Sequence, residues 1–334
     1  MLETDMSISL ENLADRAKVS KTTVSLVING KSDQYRISKN TQKKILDLVQ
    51  EFNFRPNSTA RALRLNKSLT IGLIIPYFNR HFGRVAEVIE KISRRAGYQI
   101  IIAMTDDCLE TEKDLIHNLV ARQIDGLILA TMMNQEQFSK DPVLKKIPVL
   151  LIDRRIEGDE VGWVVSDDEA GTFELISTLC QEGINDIYFI GGIKNLSTSI
   201  DRLNGYKNAL LNQGIAFQKN KVQQTGYAVK NGYEMTSKIF QYRKIRPQAI
   251  FTSAITLLEG LLLYAKDYGS EILKQTRIIT YDDHPMLNYL QTPILSVRQN
   301  AEEIAKKSFE MMHGILEENQ EISQILISPK LVLR

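Results

Sequence analysis

Eight short apolar runs limit what this chain can fold into more than any other feature. "LTIGLIIPY", which begins at Leu69, is followed by "YQIIIAMT", "GLILATM" and "VLLID". After Gly162 the rhythm repeats as "GWVVSD", "DIYFIGG", "QAIFTSA" and "RIITYDD", with helix-like sequence such as "RVAEVIEKISRRAG" between the runs. Strands that are apolar along their whole length, alternating with amphipathic helices, belong in parallel sheets covered on both faces. Two such sets predict an α/β core of two similar lobes. Ligands of open α/β sheets sit beyond the carboxyl ends of the strands. The polar residues at those ends are Asn79, the pair Asp153 and Arg154, the stretch from Ser197 to Arg202, and Asp282, Asp283 and His284. Ordinary loop polarity explains most such residues in any α/β protein, and His284 reads as a pocket-rim residue.

The first 68 residues follow a different pattern. Ser9 is a suitable helix N-cap, Glu11 suits the positive end of the dipole, and Leu10, Leu13, Ala14 and Ala17 recur at i, i+3, i+4 and i+7. Ser20 offers a second cap only three residues beyond Ala17, so the next helix must cross the first steeply, as in a helix-turn-helix. The stretch "KVSKTTVSLVINGK" is rich in β-favouring residues. Yet Val24, Val27 and Ile28 fall on one helical face, while Lys21, Thr22, Ser25 and Leu26 fall on the other. A third helix, capped by Ser38, carries Ile45, Leu48, Val49 and Phe52 as its apolar stripe. Three helices around one small core overrule the strand propensity of the second, which reads as a recognition helix. A small helical bundle with no nucleic-acid partner would share this geometry.

Charge favours a polyanion partner for this head. Through Ser68 the chain holds 12 Lys+Arg against 7 Asp+Glu, and the rest holds 30 against 33. "FNFRPNSTARALRLNKS" then carries Arg55, Arg61, Arg64 and Lys67 with Ala60 and Leu63. Residues 57–63 are enough for under two helical turns, too short to stand alone. They form either a linker or a hinge that orders only against DNA and a partner chain.

With 334 residues and 43% hydrophobic content the chain can bury more than one core. Cys108 and Cys180 lack partner spacing, so neither a disulfide framework nor a zinc site is expected. The mixed-charge N-terminus is no signal peptide, and no run reaches membrane-spanning length, so a cytoplasmic protein with no membrane partner is expected. No G-x-G-x-x-G, phosphate-loop or nucleophile-elbow pattern occurs, and the expectation is a protein that is not an enzyme and needs no cofactor. A sugar-binding module without DNA activity is the competing reading, and a nucleotide-dependent sugar enzyme a more distant one.

The chain resembles the lactose-repressor (LacI/GalR) family of bacterial transcriptional regulators along nearly its whole length. "SLENLADRAKVSKTTVSLVING" looks like the family's head signature and "RPNSTARALR" like its hinge signature. The insertion "GKSDQYRIS" is similar to the subgroup of fructose and sucrose regulators, as are "MTDD", "ARQIDGLILAT", "DRLNGY" and "YDDH". The resemblance implies a helix-turn-helix head at 1–56, a hinge at 57–68, and a periplasmic-binding-protein-like core at 69–334 with three crossovers. Its first lobe would span 69–163 and 300–322, and its second 164–299 and 323–334.

Lys21 and Thr22 match the family's base-reading positions, with Ser20 before them and Ser25 and Leu26 one turn on. Helix N-terminal residues reach the major groove, where Lys donates to guanine and Thr or Leu meets a thymine methyl. Some members carry Arg where this chain has Leu26, so one base contact should be absent. In the hinge, Asn57, Ala60 and Leu63 match minor-groove positions, Leu63 as the wedge. In the cleft, Arg202 of an R-x-x-G motif, Asp282 and Gln299 match effector-binding positions, joined by Asn79 and Asp153. Many members carry an Asn-Asp pair where this chain has Ala254 and Ile255, so that contact does not transfer. The implied effector is fructose, fructose 1-phosphate or a related sugar, acting as inducer. The implied partners are a near-palindromic operator and a second copy of the chain. The dimer contact falls on the helix from Arg84 to Arg95, whose stripe of Val85, Val88, Ile89 and Ile92 is broad enough for core and interface edge together. With no leucine heptads after "PKLVLR", a dimer rather than a tetramer is expected.

Overall fold

The structure, a computed structural model, describes residues 8–28, 30–52, 54, 67–158, 161–241, 246–269, 271–290 and 292–334. The chain divides into two units, Met1–Ser68 and Leu69–Arg334.

In the first unit, α1 (Leu10–Ala17), α2 (Lys21–Ile28) and α3 (Lys39–Glu51) enclose one small core. Ser9 Oγ accepts from the Asn12 N–H at 3.1 Å, Ser20 Oγ from Thr23 at 3.1 Å, and Ser38 Oγ from Thr41 at 3.2 Å. Each cap satisfies an N–H that has no partner within its helix. Val24 and Val27 of α2 are buried against Leu13, Ala14 and Ala17 of α1 and Ile45 of α3. Burial of that face outweighs the β-propensity of "TTVSLVI".

The second unit contains two six-stranded sheets. In the first, β1 (Thr70–Ile75), β2 (Gln99–Met104), β3 (Gly126–Leu129), β4 (Val149–Ile152), β5 (Gly162–Ser166) and β11 (Gln324–Ile327) run in the order β11-β5-β4-β3-β1-β2, all parallel. In the second, β6 (Ile187–Gly191), β7 (Val222–Gln224), β8 (Ala249–Thr252), β9 (Arg277–Tyr281), β10 (Leu295–Arg298) and β12 (Lys330–Val332) run in the order β12-β10-β9-β8-β6-β7, with only β12 antiparallel. Helices α4 (Arg80–Ala96), α5 (Leu109–Ala121), α6 (Gln135–Lys140) and α12 (Ala301–Glu318) go with the first sheet. Helices α7 (Asp168–Gln181), α8 (Ser197–Asn212), α9 (Val229–Gln241), α10 (Ile255–Tyr268) and α11 (Glu271–Gln275) go with the second. The chain passes between the sheets at Asp167, at residues 299–300 and at residues 328–329, giving the three expected crossovers. Among the described residues no helix is long and apolar enough to cross a membrane.

Two expectations need correcting. The lobe boundary does not fall at 163/164 or 322/323, because β5 pairs with β4 and β11 pairs with β5, both in the first sheet. β4 and β5 are parallel neighbours joined without a helix, so the apolar run after that loop reads in sequence as the start of a new unit. The stripe on α4 is also consumed within its own lobe. Val85, Val88 and Ile89 are buried and Ile92 packs beside them, against Ile304, Phe309 and Met312 of α12. The outer face of α4 is charged, with Arg84 on Glu87, Lys91 on Glu87 and Arg94 on Glu90. The exposed apolar side chains nearby are Phe78, which precedes α4, and Ile102 and Met104 on the edge strand β2.

One glycine fixes where the second lobe's polar helix sits. A Cβ on Gly205 of α8 would lie 2.4 Å from the Glu169 carbonyl oxygen. Glycine at that spot allows α8 to rest on the first turn of α7, which brings Arg202 to Asp168.

Candidate functional site

The carboxyl ends of the two sheets face each other across a narrow cleft. From the first lobe come Tyr77 and Asn79 after β1, His81 and Phe82 in the first turn of α4, and Asp153 and Arg154 after β4. From the second come Thr198 and Arg202 on α8, Tyr227 after β7, Ala254 after β8, Asp282 after β9 and Gln299 after β10. All five expected cleft residues (Asn79, Asp153, Arg202, Asp282 and Gln299) therefore meet around one cavity. That cavity holds only about 20 Å³, room for roughly one water. A wider recess of about 770 Å³ shares Asn79, His81, Asp282 and Gln299 with it and opens past the crossover at residues 299–300.

Arg202 is held on three sides. Its Nη2 lies 2.8 Å from Asp168 Oδ2, its Nη1 donates to the Ser253 carbonyl at 2.8 Å, and its guanidinium stands 4.0 Å from the centroid of the Tyr281 ring. Tyr281 in turn donates its hydroxyl to Asp168 Oδ1 at 2.8 Å. Both members of the ion pair are 3% exposed. Burial pushes the Asp168 carboxyl up to about 7 against the pull of Arg202, whose guanidinium is held firmly protonated by the surrounding acids. Arg202 Nε has no protein partner among the described residues.

Asp153 and Asp282 both adopt left-handed backbone, φ 61° and 69°, at the ends of β4 and β9. Aspartate tolerates that region better than most residues, and the turn aims each carboxylate past its strand end. Gln299 Nε2 donates to Asp282 Oδ1 at 2.7 Å, leaving Gln299 Oε1 without a protein partner among the described residues. Burial raises the Asp153 carboxyl and lowers the His81 imidazole, so His81 favours its neutral form. Asn79 caps α4, its Oδ1 accepting from the Phe82 N–H at 2.8 Å. Arg154 is engaged by Asp107 and by Met132 Sδ at 2.9 Å. This arrangement offers carboxylate and amide acceptors with a few fixed donors, suited to a small polyhydroxylated molecule.

Sequence reasoning missed Tyr77, His81, Tyr227 and Asp168. An aromatic in a loop carries no periodic signal, and Asp168 lies among the acids of "SDDEAG", where N-capping is the simpler assignment. Asp167 does cap α7, its Oδ1 accepting from the Ala170 N–H at 3.1 Å, while Asp168 turns inward.

In the head, Ser20, Lys21 and Thr22 are exposed at the start of α2, with Ser25 and Leu26 half-buried. Ser20 Oγ is occupied by capping, and Lys21 Nζ lies 2.6 Å from Glu11 Oε1. Asn57, Ala60 and Leu63 lie outside the described residues.

Comparison with known proteins matches this architecture at both ends. Residues 9–57 match the model for bacterial regulatory proteins of the lacI family, and residues 176–334 match a periplasmic binding protein-like domain. The chain is 31% identical to the sucrose operon repressor of Klebsiella pneumoniae, over 93% of this chain and 92% of that one. It is 33% identical to the fructose operon regulatory protein of Vibrio cholerae, over 89% and 91%. Among solved structures, the Cra transcriptional dual regulator of Pseudomonas putida in complex with fructose 1-phosphate has a TM-score of 0.73 at 26% identity, covering 80% of this chain and 98% of that one. The lac repressor dimer bound to operator and an anti-inducer shares the fold, with a TM-score of 0.81 at 21% identity and 98% of both chains covered. These relatives are transcriptional regulators, which sets aside the sugar-binding module without DNA activity. The chain belongs to the LacI family of bacterial regulatory proteins, and is a DNA-binding transcriptional repressor with a periplasmic-binding-protein-like core.

Proposed function

We propose that this repressor controls a sucrose- or fructose-utilisation operon from the cytoplasm, and that a sugar entering the cleft releases it from operator DNA. The observation that carries this reading is the meeting of Asn79, Asp153, Arg202, Asp282 and Gln299 around one cavity, with Arg202 Nε and Gln299 Oε1 both lacking protein partners among the described residues. A cavity of about 20 Å³ admits no hexose. A sugar that touches all five of these residues must therefore change how the lobes meet, and it can do so only by its differential affinity for the two arrangements. The first lobe continues directly from the hinge run at 57–68 into β1, so a change between lobes reaches the hinge through the backbone. The run at 57–63 has too few residues for a helix that stands alone, which is why its ordering is proposed to depend on DNA and a second copy of the chain.

In the head, Lys21 and Thr22 read bases, with Ser20, Ser25 and Leu26 beside them, and Asn57, Ala60 and Leu63 enter the minor groove. A dimer reads the two halves of a near-palindromic operator. The exposed Ile102 and Met104 on the edge of β2 are the surface we assign to dimer contact, since the stripe of α4 is already used inside its lobe. A gel shift against DNA flanking the protein's own gene tests the reading. Specific retardation, relieved by fructose or sucrose, is expected. Retardation indifferent to every sugar of that group would overturn the effector assignment and leave the DNA-binding role standing.

A further inference from the structure

We propose that Asp283 is a positioning residue for the effector site. It pins the ends of β9 and β10, and so fixes Asp282 and Gln299, the chain neighbours of Asp283 and Arg298. This rests on the cleft being the effector site. β9 and β10 lie side by side and parallel, with Tyr281 in register with Val297. Just beyond that pair, two links join the strand ends. Gln299 Nε2 donates to Asp282 Oδ1 at 2.7 Å, and both residues line the small cavity. Arg298 Nε donates to Asp283 Oδ2 at 2.9 Å, with Nη2 2.7 Å from the same oxygen, and neither of these residues lines it.

The second link is firmly anchored. The Asp283 side chain is only 5% exposed, and it also accepts from Ser296 Oγ at 2.8 Å and from Arg334 Nη2. Arg334 is fixed in its turn, with Nε donating to Asn288 Oδ1 at 2.7 Å and Nη1 to Ser296 Oγ at 2.8 Å. Burial works against the charge of Asp283, yet its donors outweigh burial and hold the carboxyl below its ordinary value. The residue just before it, Asp282, has φ 69°, a backbone region that a non-glycine residue keeps only where its surroundings hold it there. On the other strand, Gln299 follows Arg298 directly and begins the crossover into α12. Asp283 thus holds the chain on one side of each cleft residue, and side chains that contact a ligand keep their geometry through such outer hydrogen bonds.

The test is calorimetric titration of D-fructose, sucrose and fructose 1-phosphate into the full-length wild type, Asp282→Asn, Asp283→Asn, the double variant and Arg298→Ala. Operator binding without sugar serves as the folding control. For the sugar that the wild type binds most tightly, Asp283→Asn should cost about tenfold in affinity and Arg298→Ala about threefold, with operator affinity unchanged in both. The double variant should lose less than the product of the two single losses, because residues acting through one another do not add. Asp283→Asn that melts at lower temperature but binds sugar as the wild type does would overturn the proposal and keep the cleft. Single losses that multiply in the double variant would make Asp283 an independent contact and overturn it as well. The guanidinium side chain of Arg298 is 59% exposed, so its removal leaves the core alone. If Asp283→Asn no longer binds operator, Arg298→Ala decides, and unchanged sugar affinity there overturns the proposal. A wild type that binds none of the three sugars, or sugar binding indifferent to Asp282→Asn, would overturn the cleft reading itself.

Discussion

Arg155 and Asp201 join the two lobes through a two-pronged ion pair, both guanidinium Nη atoms resting on the two carboxylate oxygens. The Arg155 N–H also donates to Ser197 Oγ at 2.9 Å. Arg155 follows β4 in the first lobe, and Asp201 precedes Arg202 on α8 of the second, so the clasp and the cleft arginine ride on one rigid helix.

The pair is unevenly buried, with Arg155's side chain 32% exposed and Asp201's 9%. Removing the arginine strands a nearly buried carboxylate, whereas removing the aspartate leaves a cation that can turn to water. Arg155→Ala should therefore destabilise the core by about 2 kcal/mol and Asp201→Ala by less, about 1 kcal/mol. Urea unfolding of both, with the swap Arg155→Asp plus Asp201→Arg recovering part of the loss, checks this. Equal effects in the two single variants would count against the asymmetry.

Asp282→Asn retains the acceptor for Gln299 and a side chain that tolerates φ 69°, while removing the negative charge. Sugar affinity should fall by about tenfold or more, roughly 1.4 kcal/mol, with operator affinity in the absence of sugar unchanged. It is a cleaner probe than Arg202→Ala, which would also abolish the sugar response but would remove the ion-pair partner of buried Asp168 and push its carboxyl further toward the protonated form. Parallel calorimetry and operator titration of the two variants separate these effects.

Asp168 should give stability an unusual slope with pH. Its carboxyl titrates at about 7 in the folded chain against an ordinary value of 3.8. The folded state thus keeps a proton that the unfolded chain sheds. That contribution is fully present below 3.8 and is lost as pH rises through about 7. Stability of the wild type relative to Asp168→Asn should decline from about pH 4 to about pH 8 and then level off. Both proteins carry His81, so the difference isolates Asp168. A flat difference would show that the aspartate is ionised throughout.

In the head, Lys21 is exposed yet tied to Glu11. Lys21→Ala should reduce discrimination between operator and random DNA by about 1–3 kcal/mol. Glu11→Ala frees the lysine of an exposed pair, and its effect on operator affinity should stay within about 1 kcal/mol in the favourable direction. Competition binding at fixed salt measures both.

How much of this was legible in the sequence depended on whether a residue's role left a pattern. Val24, Val27 and Ile28 betrayed α2 because helical spacing is a stronger signal than β-propensity once a core is available. Strand-end polarity located Asn79, Asp153, Asp282 and the stretch that holds Arg202, because ligands of open parallel sheets sit beyond the carboxyl ends of the strands, while Gln299 came only from the family resemblance. The lobe boundary was not legible, because β4 and β5 are neighbours without a helix between them. Asp168 was hidden for a different reason: an inward turn by one of two adjacent aspartates is set by the approach of α8 across Gly205, a tertiary event with no local trace.

The central claim is that the cleft and the operator-binding head are coupled through one equilibrium. Linkage requires operator to weaken sugar binding by the same factor by which sugar weakens operator binding. The most direct measurement is calorimetric titration of the sugar into the free protein and into the protein saturated with its operator. A fall in sugar affinity of about 5-fold to 150-fold, equal to the loss of operator affinity at saturating sugar, is the result this account predicts. Equal sugar affinities with and without operator would contradict it.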